Sequence, residues 1–341
     1  MTVFDEALSS IKNLFEKNSH DKCKKACELV LSIQSSNPTA LYFSGKLSEV
    51  CGDIEEASEY YRQLSLIFPF NNEYMQLAIQ TNSACEKDVS ILQNEIEKSK
   101  ASILNFPNRP SLRYCKNSLG EFAVPSHPSN DQIAVKICQG ELFEPEIIDI
   151  AKQYIQPGSI AIDVGSNLGQ MSLVFSALVG KEGKVYSIEA DDYLHHILKV
   201  NTQLNQAKNI ITLCKAAWES DDCDLCFPIQ DFAEYHCYGA YGLNPKLTSS
   251  SRMVKTMTID SLKIDKPVSF MKVDVQGADL FALRGAVETI KRYRFPIIFE
   301  YEEEFQEKFN TSFQDYVDYV ASINYKFLRT VKDINYIIVP K

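Results

Sequence analysis

The stretch "IAIDVGSNLGQMSL", Ile160 to Leu173, carries the signals of a strand, a turn and a helix in succession. A branched apolar run ends in Asp163, Gly165 and Gly169 follow four residues apart, and an apolar helical pattern comes after them. In an open parallel sheet, ligands bind outside the carboxyl ends of the strands, where a strand turns into a helix. Glycine permits a positive φ and a close approach of the backbone to a ligand, and the start of a helix offers free N–H groups. The stretch therefore predicts a ligand-binding turn in an α/β domain.

Strand and helix patterns alternate along residues 144–341. Helices are predicted at 145–155, 168–179, 191–205, 278–292 and 312–323, and strands at 160–164, 184–189, 210–217, 268–274 and 296–301, before a terminal hairpin that turns at 332–333. Such alternation is typical of a doubly wound, mainly parallel sheet, and the hairpin makes the last strand antiparallel. An insertion is predicted at 219–259, between the third and fourth main strands.

Residues 105–143 are predicted to form a linker and a small β cover. The helical period ends at "NFPNRP", residues 105–110, and short strand patterns follow. "LRYCKNSLGEFAV" predicts a hairpin that turns at 117–120, and "QIAVKICQG" predicts another strand. We expect these strands to cover the main sheet.

Residues 1–104 predict a helical-repeat domain. A small residue, two apolar residues and a proline recur with a constant shift of 31 residues: Ala26, Val30, Ile33 and Pro38, then Ala57, Tyr61, Leu64 and Pro69. Gly45 and Gly52 supply the close contact and the turn that a helix pair needs. The pattern resembles the tetratricopeptide repeat over Phe4–Pro69, and residues 72–104 continue the helical period. The resemblance implies a docking groove for a protein partner or for a second copy of the chain; a helical spacer is the alternative.

The composition, with 45% hydrophobic and 23% charged residues, is that of an ordinary globular protein. The net charge of −10, without a basic stripe, argues against nucleic acid as a partner. No window holds the roughly 20 uninterrupted apolar residues that span a bilayer, so no integral membrane segment is expected. Because the N-terminus lacks the features of a signal peptide, we expect a cytoplasmic location, with the ten cysteines reduced and no disulfides.

The ligand of the glycine turn is predicted to be a cation. A dinucleotide site has the order G-x-G-x-x-G, whereas this chain has D-x-G-x-x-x-G. Asp163 would repel a pyrophosphate but can orient the amino group of S-adenosylmethionine, directly or through a water. Glu189 ends the second strand, "KVYSIEADD", where a carboxylate accepts hydrogen bonds from both ribose hydroxyls. These two residues favour S-adenosylmethionine as the cofactor, and a dinucleotide oxidoreductase is the alternative.

Four runs in a fixed order carry a family resemblance: "GELFEPEIIDIAKQYIQPGSIAIDVGSNLGQMSL", "VYSIEADD", "VKTMTIDSL" and "SFMKVDVQGADLFALRGA". Together they resemble the FkbM-type methyltransferases, a branch of the class I S-adenosylmethionine-dependent fold, over Leu112 to Lys341. The resemblance implies a Rossmann-like sheet and methyl transfer to a hydroxyl of a sugar, glycan, polyketide or related natural product. The family commonly has "DVEG" where this chain has "DVQG" at 274–277. The alternative is therefore a helical-repeat scaffold or binding protein whose methyltransferase-like domain has lost catalysis.

The predicted cofactor-binding residues lie at the ends of the first four main strands. They are Asp163, Gly165, Ser166, Asn167, Gly169, Glu189, Ala190, Ala216, Ala217 and Asp274. The fold commonly meets the adenine near Ala216 and Ala217. Trp218 follows them, and a place in the core is the alternative for this side chain.

Asp274 is the first candidate for positioning or deprotonating an acceptor hydroxyl, with a helix cap as its alternative role. His236 in the insertion and Glu300 after the fifth strand are further catalytic candidates; an exposed loop histidine and a solvated acidic run are the alternatives. Cys223 and Cys226 have C-x-x-C spacing, but residues three apart in a strand point to opposite faces. No metal is therefore expected.

Overall fold

A computed structural model describes residues 3–33, 37–104, 112–125, 131–229, 237, 239, 241–244 and 251–341. The chain divides into two compact units, residues 1–106 and 107–341. No helix in the described ranges is both long enough and apolar enough to pass through a membrane.

The first unit is built of helices. In its described residues they are α1 (Val3–Glu16), α2 (His20–Ile33), α3 (Pro38–Cys51), α4 (Ile54–Ile67), α5 (Asn72–Ala84) and α6 (Val89–Leu104). Tyr61 is fully buried against Gly45, where an added Cβ would lie 2.5 Å from Tyr61 Cε1. Gly52 ends α3 with a φ of 80°, in the left-handed region that favours glycine. The prediction of an all-helical region is confirmed, and the assignment to tetratricopeptide repeats stays a prediction.

The second unit alternates strands and helices. Its described elements are β1 (Leu112–Asn117), β2 (Gly120–Pro125), α7 (Gln132–Cys138), α8 (Pro145–Tyr154), β3 (Ile160–Val164), α9 (Gln170–Val179), β4 (Lys184–Glu189), α10 (Asp192–Leu204), β5 (Ile210–Cys214), β6 (Ala216–Ala217), β7 (Asp224–Pro228), β8 (Ser251–Met257), β9 (Val268–Val273), α11 (Asp279–Arg284), α12 (Val287–Tyr293), β10 (Ile297–Glu300), α13 (Glu303–Gln306), α14 (Phe313–Ser322), β11 (Tyr325–Val331) and β12 (Asn335–Pro340). The main sheet has the order β11-β12-β10-β9-β3-β4-β5. Its neighbouring strands pair in parallel except where β12 takes part. The predicted mainly parallel sheet with an antiparallel last strand is confirmed.

The main sheet is buried on both faces. On one face, Ile160, Ile162 and Val164 of β3 pack in an apolar cluster with α11, α12 and α14. On the other face, Ala161 packs in a second cluster with α8 and α9. Because helices cover both faces, the carboxyl ends of the strands are the part of the sheet that meets a ligand.

Two predicted elements are each divided in the structure. The predicted helix 278–292 breaks into α11 and α12 at Gly285, where a Cβ would lie 2.0 Å from the carbonyl oxygen of Trp218. The predicted strand 210–217 breaks into β5 and β6, because β6 leaves the main sheet and pairs with β8. Both breaks depend on contacts between segments far apart in sequence.

Residues 132–138, predicted as a strand, form helix α7. Asp131 caps the start of α7, since its Oδ1 accepts a hydrogen bond of 2.7 Å from the amide of Ala134. Ala134 and Ile137 are the buried positions of α7, so the burial follows a helical period. The prediction was wrong because periodicity does not separate a helix from a strand in so short an apolar run.

A disulfide joins Cys115 of β1 to Cys138 at the end of α7, with the two Cα atoms 5.0 Å apart. The prediction of reduced cysteines is therefore wrong for this pair. The spacing alone does not reveal the pair, because the two cysteines are 23 residues apart and meet only where α7 packs against β1. The predicted hairpin β1–β2 is confirmed, and Asn201 of α10 holds it by bonding both the N–H and the C=O of Ala123.

We expect Cys115→Ser to lower the free energy of unfolding of the second unit by about 2–4 kcal/mol, because the crosslink restricts the unfolded chain. Trp218 is the single tryptophan and belongs to this unit, so its fluorescence in a urea titration reports on this unit alone. Cys223→Ser, at an exposed free thiol of the same unit, is the matched control. Titration of the denatured wild type should find eight thiols. Ten thiols would contradict the crosslink and agree with the reducing cytoplasm expected from the sequence.

The insertion at 219–259 contains β7 and β8, which pair antiparallel at the two places where strands were predicted. The loop between them lies partly outside the described residues. His236, a predicted catalytic candidate, lies outside the residues that the structure describes.

Candidate active site

A cavity of about 280 Å³ lies beyond the carboxyl ends of β3, β4 and β9. Its walls are the turn after β3, the residues after β4, strand β6, parts of the insertion, and the residues after β9 and β10. The predicted site residues that line it are Gly165, Ser166, Asn167, Glu189, Ala190, Ala216, Ala217, Asp274 and Glu300. The glycine turn and the carboxyl groups of Glu189, Asp274 and Glu300 thus face one space, and the roles assigned to them stay predictions.

The turn after β3 approaches the end of β9 very closely. Gly165 has a φ of +79°, and a Cβ at this position would lie 1.8 Å from the carbonyl oxygen of Asp274. Gly169 has a φ of +89° and packs outside the cavity lining, where a Cβ would lie 2.6 Å from Leu198 Cδ1. Only glycine adopts these φ values without strain and has no Cβ to fill the space. The backbone path therefore requires glycine at both positions.

Asp163 is fully buried beneath this turn and is not among the residues that line the cavity. Its Oδ2 accepts a hydrogen bond from Ser172 Oγ, whereas its Oδ1 has no hydrogen-bond partner among the described residues. Burial raises the pKa of the Asp163 carboxyl, and the positive charge of Lys272 opposes that shift. Buried polar atoms normally have partners, and Asp163 does not line the cavity, so a water would be the natural partner of Oδ1 and would link it to a ligand amino group.

Glu189 ends β4 with its carboxyl group held in one orientation. Its Oε2 accepts a hydrogen bond of 2.8 Å from the amide of Asn167, and its Oε1 accepts one of 2.8 Å from the amide of Asp191. A carboxylate offers about four lone-pair sites, so both oxygens retain capacity for a ligand. Burial raises the pKa of Glu189 to about 7, although the two amide hydrogen bonds oppose the shift.

Four polar side chains form a cluster between the ends of β9 and β10. Lys272 Nζ lies 2.8 Å from Asp274 Oδ2 and is buried. Gln276 Nε2 donates two hydrogen bonds of 3.0 Å, one to Asp274 Oδ1 and one to Glu300 Oε2. Gln276 has a φ of 54°, a left-handed conformation that turns its side chain back to the strand end. We call these four residues the acid cluster.

The two carboxyl groups of the acid cluster have opposite pKa shifts. Burial raises the pKa of Asp274, but the charge of Lys272 and the hydrogen bonds outweigh burial and hold the pKa below its usual value. Burial and the neighbouring charge of Asp274 raise the pKa of Glu300 to about 10. At neutral pH, Asp274 is therefore ionised and Glu300 is protonated and donates a hydrogen bond to Asp274.

The cavity lining favours a positively charged ligand. Of the described residues that line it, five carry carboxyl groups and two are lysines: Glu144, Glu189, Asp274, Glu300 and Glu302, with Lys215 and Lys272. Because Glu300 is protonated at neutral pH, four carboxyl groups remain that can carry a negative charge against the two lysines. The charge and the glycine turn both fit a sulfonium methyl donor. Across the described part of the chain, no three side chains of metal-binding type form a group that could hold a metal ion.

Four charged residues that line the cavity were not among the predicted site residues: Glu144, Lys215, Lys272 and Glu302. Lys272 stands in the otherwise apolar strand "VSFMKV", which is a usable signal because a buried charge needs a partner. Glu144 lines the cavity just before α8, where burial raises its pKa, and no sequence signal marks it. Trp218 is partly buried and stacks on Phe281 with ring centroids 4.1 Å apart, outside the cavity lining.

Comparison with known proteins finds similarity to methyltransferases. Residues 163–327 match the family model described as "Methyltransferase FkbM domain". A protein-L-isoaspartate O-methyltransferase from Triticum aestivum is 43% identical over 42 residues, which are 12% of this chain and 18% of that protein. A protein from Sulfurisphaera tokodaii described as "Probable cobalt-precorrin-6B C(15)-methyltransferase (decarboxylating)" is 26% identical over 99 residues, which are 29% of this chain and 52% of that protein. The chain thus spans 18% and 52% of the length of these two curated relatives.

Among solved structures, the methyltransferase FkbM from Methylobacillus flagellatus is 17% identical, with a TM-score of 0.36 over 56% of this chain and 50% of that chain. The family model begins at Asp163 within β3 and ends in β11, so it contains both the predicted donor turn and the acid cluster. The chain therefore matches the methyltransferase FkbM family model over residues 163–327, somewhat less than half of its length.

Proposed function

We propose that this chain is an O-methyltransferase that transfers the methyl group of S-adenosylmethionine to a hydroxyl of a sugar, glycan or related natural product. The donor supplies an electrophilic methyl group on a positively charged sulfur. The observation that supports the proposal best is a single cavity that joins the oriented carboxyl group of Glu189 to an ionised Asp274.

Different parts of the cavity lining suit different parts of the donor. Glu189 would accept hydrogen bonds from the ribose hydroxyls, because both of its oxygens are fixed by backbone amides and retain free lone pairs. The small apolar side chains of Ala190, Ala216 and Ala217 leave a flat space suited to the adenine. The close turn at 165–167, which lines the cavity, would lie beside the amino-acid end of the donor.

The acid cluster would remove the proton of the acceptor hydroxyl. Asp274 is ionised at neutral pH and can accept the proton as the hydroxyl oxygen bonds to the methyl carbon. Lys272 keeps the charged form stable, and Gln276 fixes the carboxylate through its amide. Glu300 is protonated and donates a hydrogen bond to Asp274. Because it already carries its proton, it does not compete with Asp274 for the proton of the substrate.

We expect donor affinity to increase as the pH rises through about 7, the pKa of Glu189. A carboxyl group with a raised pKa is neutral below that value, and the neutral acid is a poorer acceptor for two hydroxyls. The Kd of S-adenosylhomocysteine should fall several-fold between about pH 6 and pH 8. Calorimetry in two buffers of different ionisation enthalpy should detect proton release near pH 7. Glu189→Gln should remove this release, and an unchanged release in that variant would assign it to another group.

The proposed function is tested first by ligand choice and then by turnover. Calorimetry should show binding of S-adenosylmethionine and S-adenosylhomocysteine but not of NAD. Donor with a labelled methyl group should then transfer label to at least one compound in a panel of mono- and oligosaccharides and phenols. The mass of the product should increase by one methylene, and the bond formed should be an ether.

Other outcomes would favour the alternatives. Tight donor binding without turnover on any acceptor would favour a scaffold, in which residues 1–104 dock a protein partner or a second copy. Binding of NAD in place of the sulfonium donor would favour an oxidoreductase. For an active enzyme, we propose that the same helical segment brings the domain to its partner or acceptor in the cytoplasm.

A further inference from the structure

The insertion forms part of the wall of the cavity, on the side of the residues that follow β4. Phe227 of β7 and Leu243 line the cavity together with Ala190, Leu194 and Ala216. Phe227 is only 2% exposed and belongs to an apolar cluster with Leu243 and Ala216. The insertion therefore contacts the region proposed for the adenosine, in addition to any contact with the acceptor.

Arg252 of β8 ties this wall to the loop after β4. It lies opposite Phe227 in the β7–β8 register, with its Cζ 4.8 Å from the centre of the Phe227 ring. Its Nη2 donates a hydrogen bond of 3.0 Å to the carbonyl oxygen of Ala190 and lies 3.3 Å from Asp191 Oδ2. The side chain is 21% exposed, so these contacts are largely shielded from solvent.

Arg252 contacts Ala190 and Asp191, which directly follow the proposed ribose contact, Glu189. The amide of Asp191 donates to Glu189 Oε1, and Asp191 Oδ1 caps α10 by accepting from the amide of Leu194. A shift of Asp191 would therefore move the carboxyl group of Glu189 and the first turn of α10 together. Arg252 bonds the backbone between these groups and packs on Phe227 across the cavity wall.

We propose that Arg252 is a positioning residue for the adenosine part of the methyl donor, which makes the insertion part of the donor site. The inference rests on the proposed function. Arg252 does not line the cavity and acts through Glu189 and Phe227. Arginine suits this place because a planar guanidinium can stack on a ring and donate hydrogen bonds in its plane at once, whereas a lysine can do only one of these well.

The test compares three variants in calorimetric binding of S-adenosylhomocysteine and of methylthioadenosine, which keeps the adenosine but lacks the amino-acid end. Arg252→Gln should raise the Kd of both ligands by the same factor, about tenfold. Arg252→Lys should lie between Arg252→Gln and the wild type, because the charge near Asp191 returns without the stacking. Lys255→Gln is the matched control, since Lys255 lies on the same strand, is exposed, and pairs within the insertion with Asp224 at 2.7 Å.

Each outcome decides the inference. Urea titration followed by Trp218 fluorescence should show Arg252→Lys and the control to be equally stable, so a weaker Kd in Arg252→Lys reports on positioning. The inference is overturned if Arg252→Gln binds both ligands as the wild type does, or if only S-adenosylhomocysteine weakens. If the wild type binds neither ligand, the proposed function itself fails. If the wild type binds both ligands and Arg252→Gln binds them equally well, only the inference about Arg252 fails.

Discussion

Asp274→Asn is expected to lower kcat by about 100-fold or more, because general-base catalysis contributes roughly 10²–10⁴. Asparagine keeps the size of the side chain but has no carboxylate to take the proton of the acceptor. The Kd of the donor should change much less, since Glu189 and the apolar wall at Ala216 and Ala217 are untouched. Single-turnover transfer of labelled methyl, with calorimetric donor binding on the same preparation, measures both quantities.

The stability of this variant needs its own measurement. Asp274 is the partner of the buried Lys272, and removal of one member of a buried pair destabilises a protein by about 3–5 kcal/mol. A urea titration followed by Trp218 fluorescence shows whether the variant is folded at the assay temperature. Asp265→Asn, an exposed aspartate of the same unit, controls for loss of one negative charge. A folded, donor-binding Asp274→Asn enzyme with wild-type kcat would refute the role of Asp274 as the base.

Gln276→Glu tests the same role while keeping Asp274 and its buried partner Lys272 in place. The variant puts a third carboxyl group beside Asp274 and Glu300, so the pKa of Asp274 should rise. A carboxylate base loses activity as the pH falls through its pKa, so the acidic limb of the kcat profile should move to higher pH. An unmoved limb would mean that a group other than Asp274 titrates in catalysis.

The parts of the site that follow from local rules could be predicted from the sequence. Gly165, Glu189 and Asp274 each stand at the carboxyl end of a strand pattern, and parallel strands end on the same edge of a sheet. Their convergence on one cavity therefore needs only the strand assignments and the parallel topology. The all-helical first unit could also be predicted from the sequence, because Gly45 and Tyr61 belong to successive helices and contact each other.

The features that escaped prediction depend on partners distant in sequence. The Cys115–Cys138 pair forms only because α7 folds back on β1, and the sequence pattern of α7 predicts a strand. Lys272 is stabilised in a buried strand by Asp274 and by the charge of Glu144, which lies more than a hundred residues earlier. A periodic pattern reports which face of an element is buried, and it does not report which charges meet. The contacts within the acid cluster are therefore visible only in the structure.

Gly165→Ala is expected to weaken donor binding more than about tenfold and to destabilise the second unit by roughly 2–4 kcal/mol. Two causes add. Alanine at a φ of +79° is strained, and its Cβ would lie 1.8 Å from the carbonyl oxygen of Asp274 and 2.8 Å from the carbonyl carbon. The turn and the end of β9 must therefore move apart, which shifts the donor cavity and the proposed base together.

Gly158→Ala separates the two causes. Gly158 has a φ of +81°, almost that of Gly165, but no described atom lies within 4 Å of the position that its Cβ would take. This variant should therefore show only the cost of the left-handed backbone, about 1–2 kcal/mol, with donor affinity unchanged. Urea titration by Trp218 fluorescence and calorimetry with S-adenosylhomocysteine measure both variants in the same way. The difference between them gives the contribution of the close approach between β3 and β9. Equal donor affinity in the two variants would show that this approach is not needed for the donor site, because strain alone would then explain both.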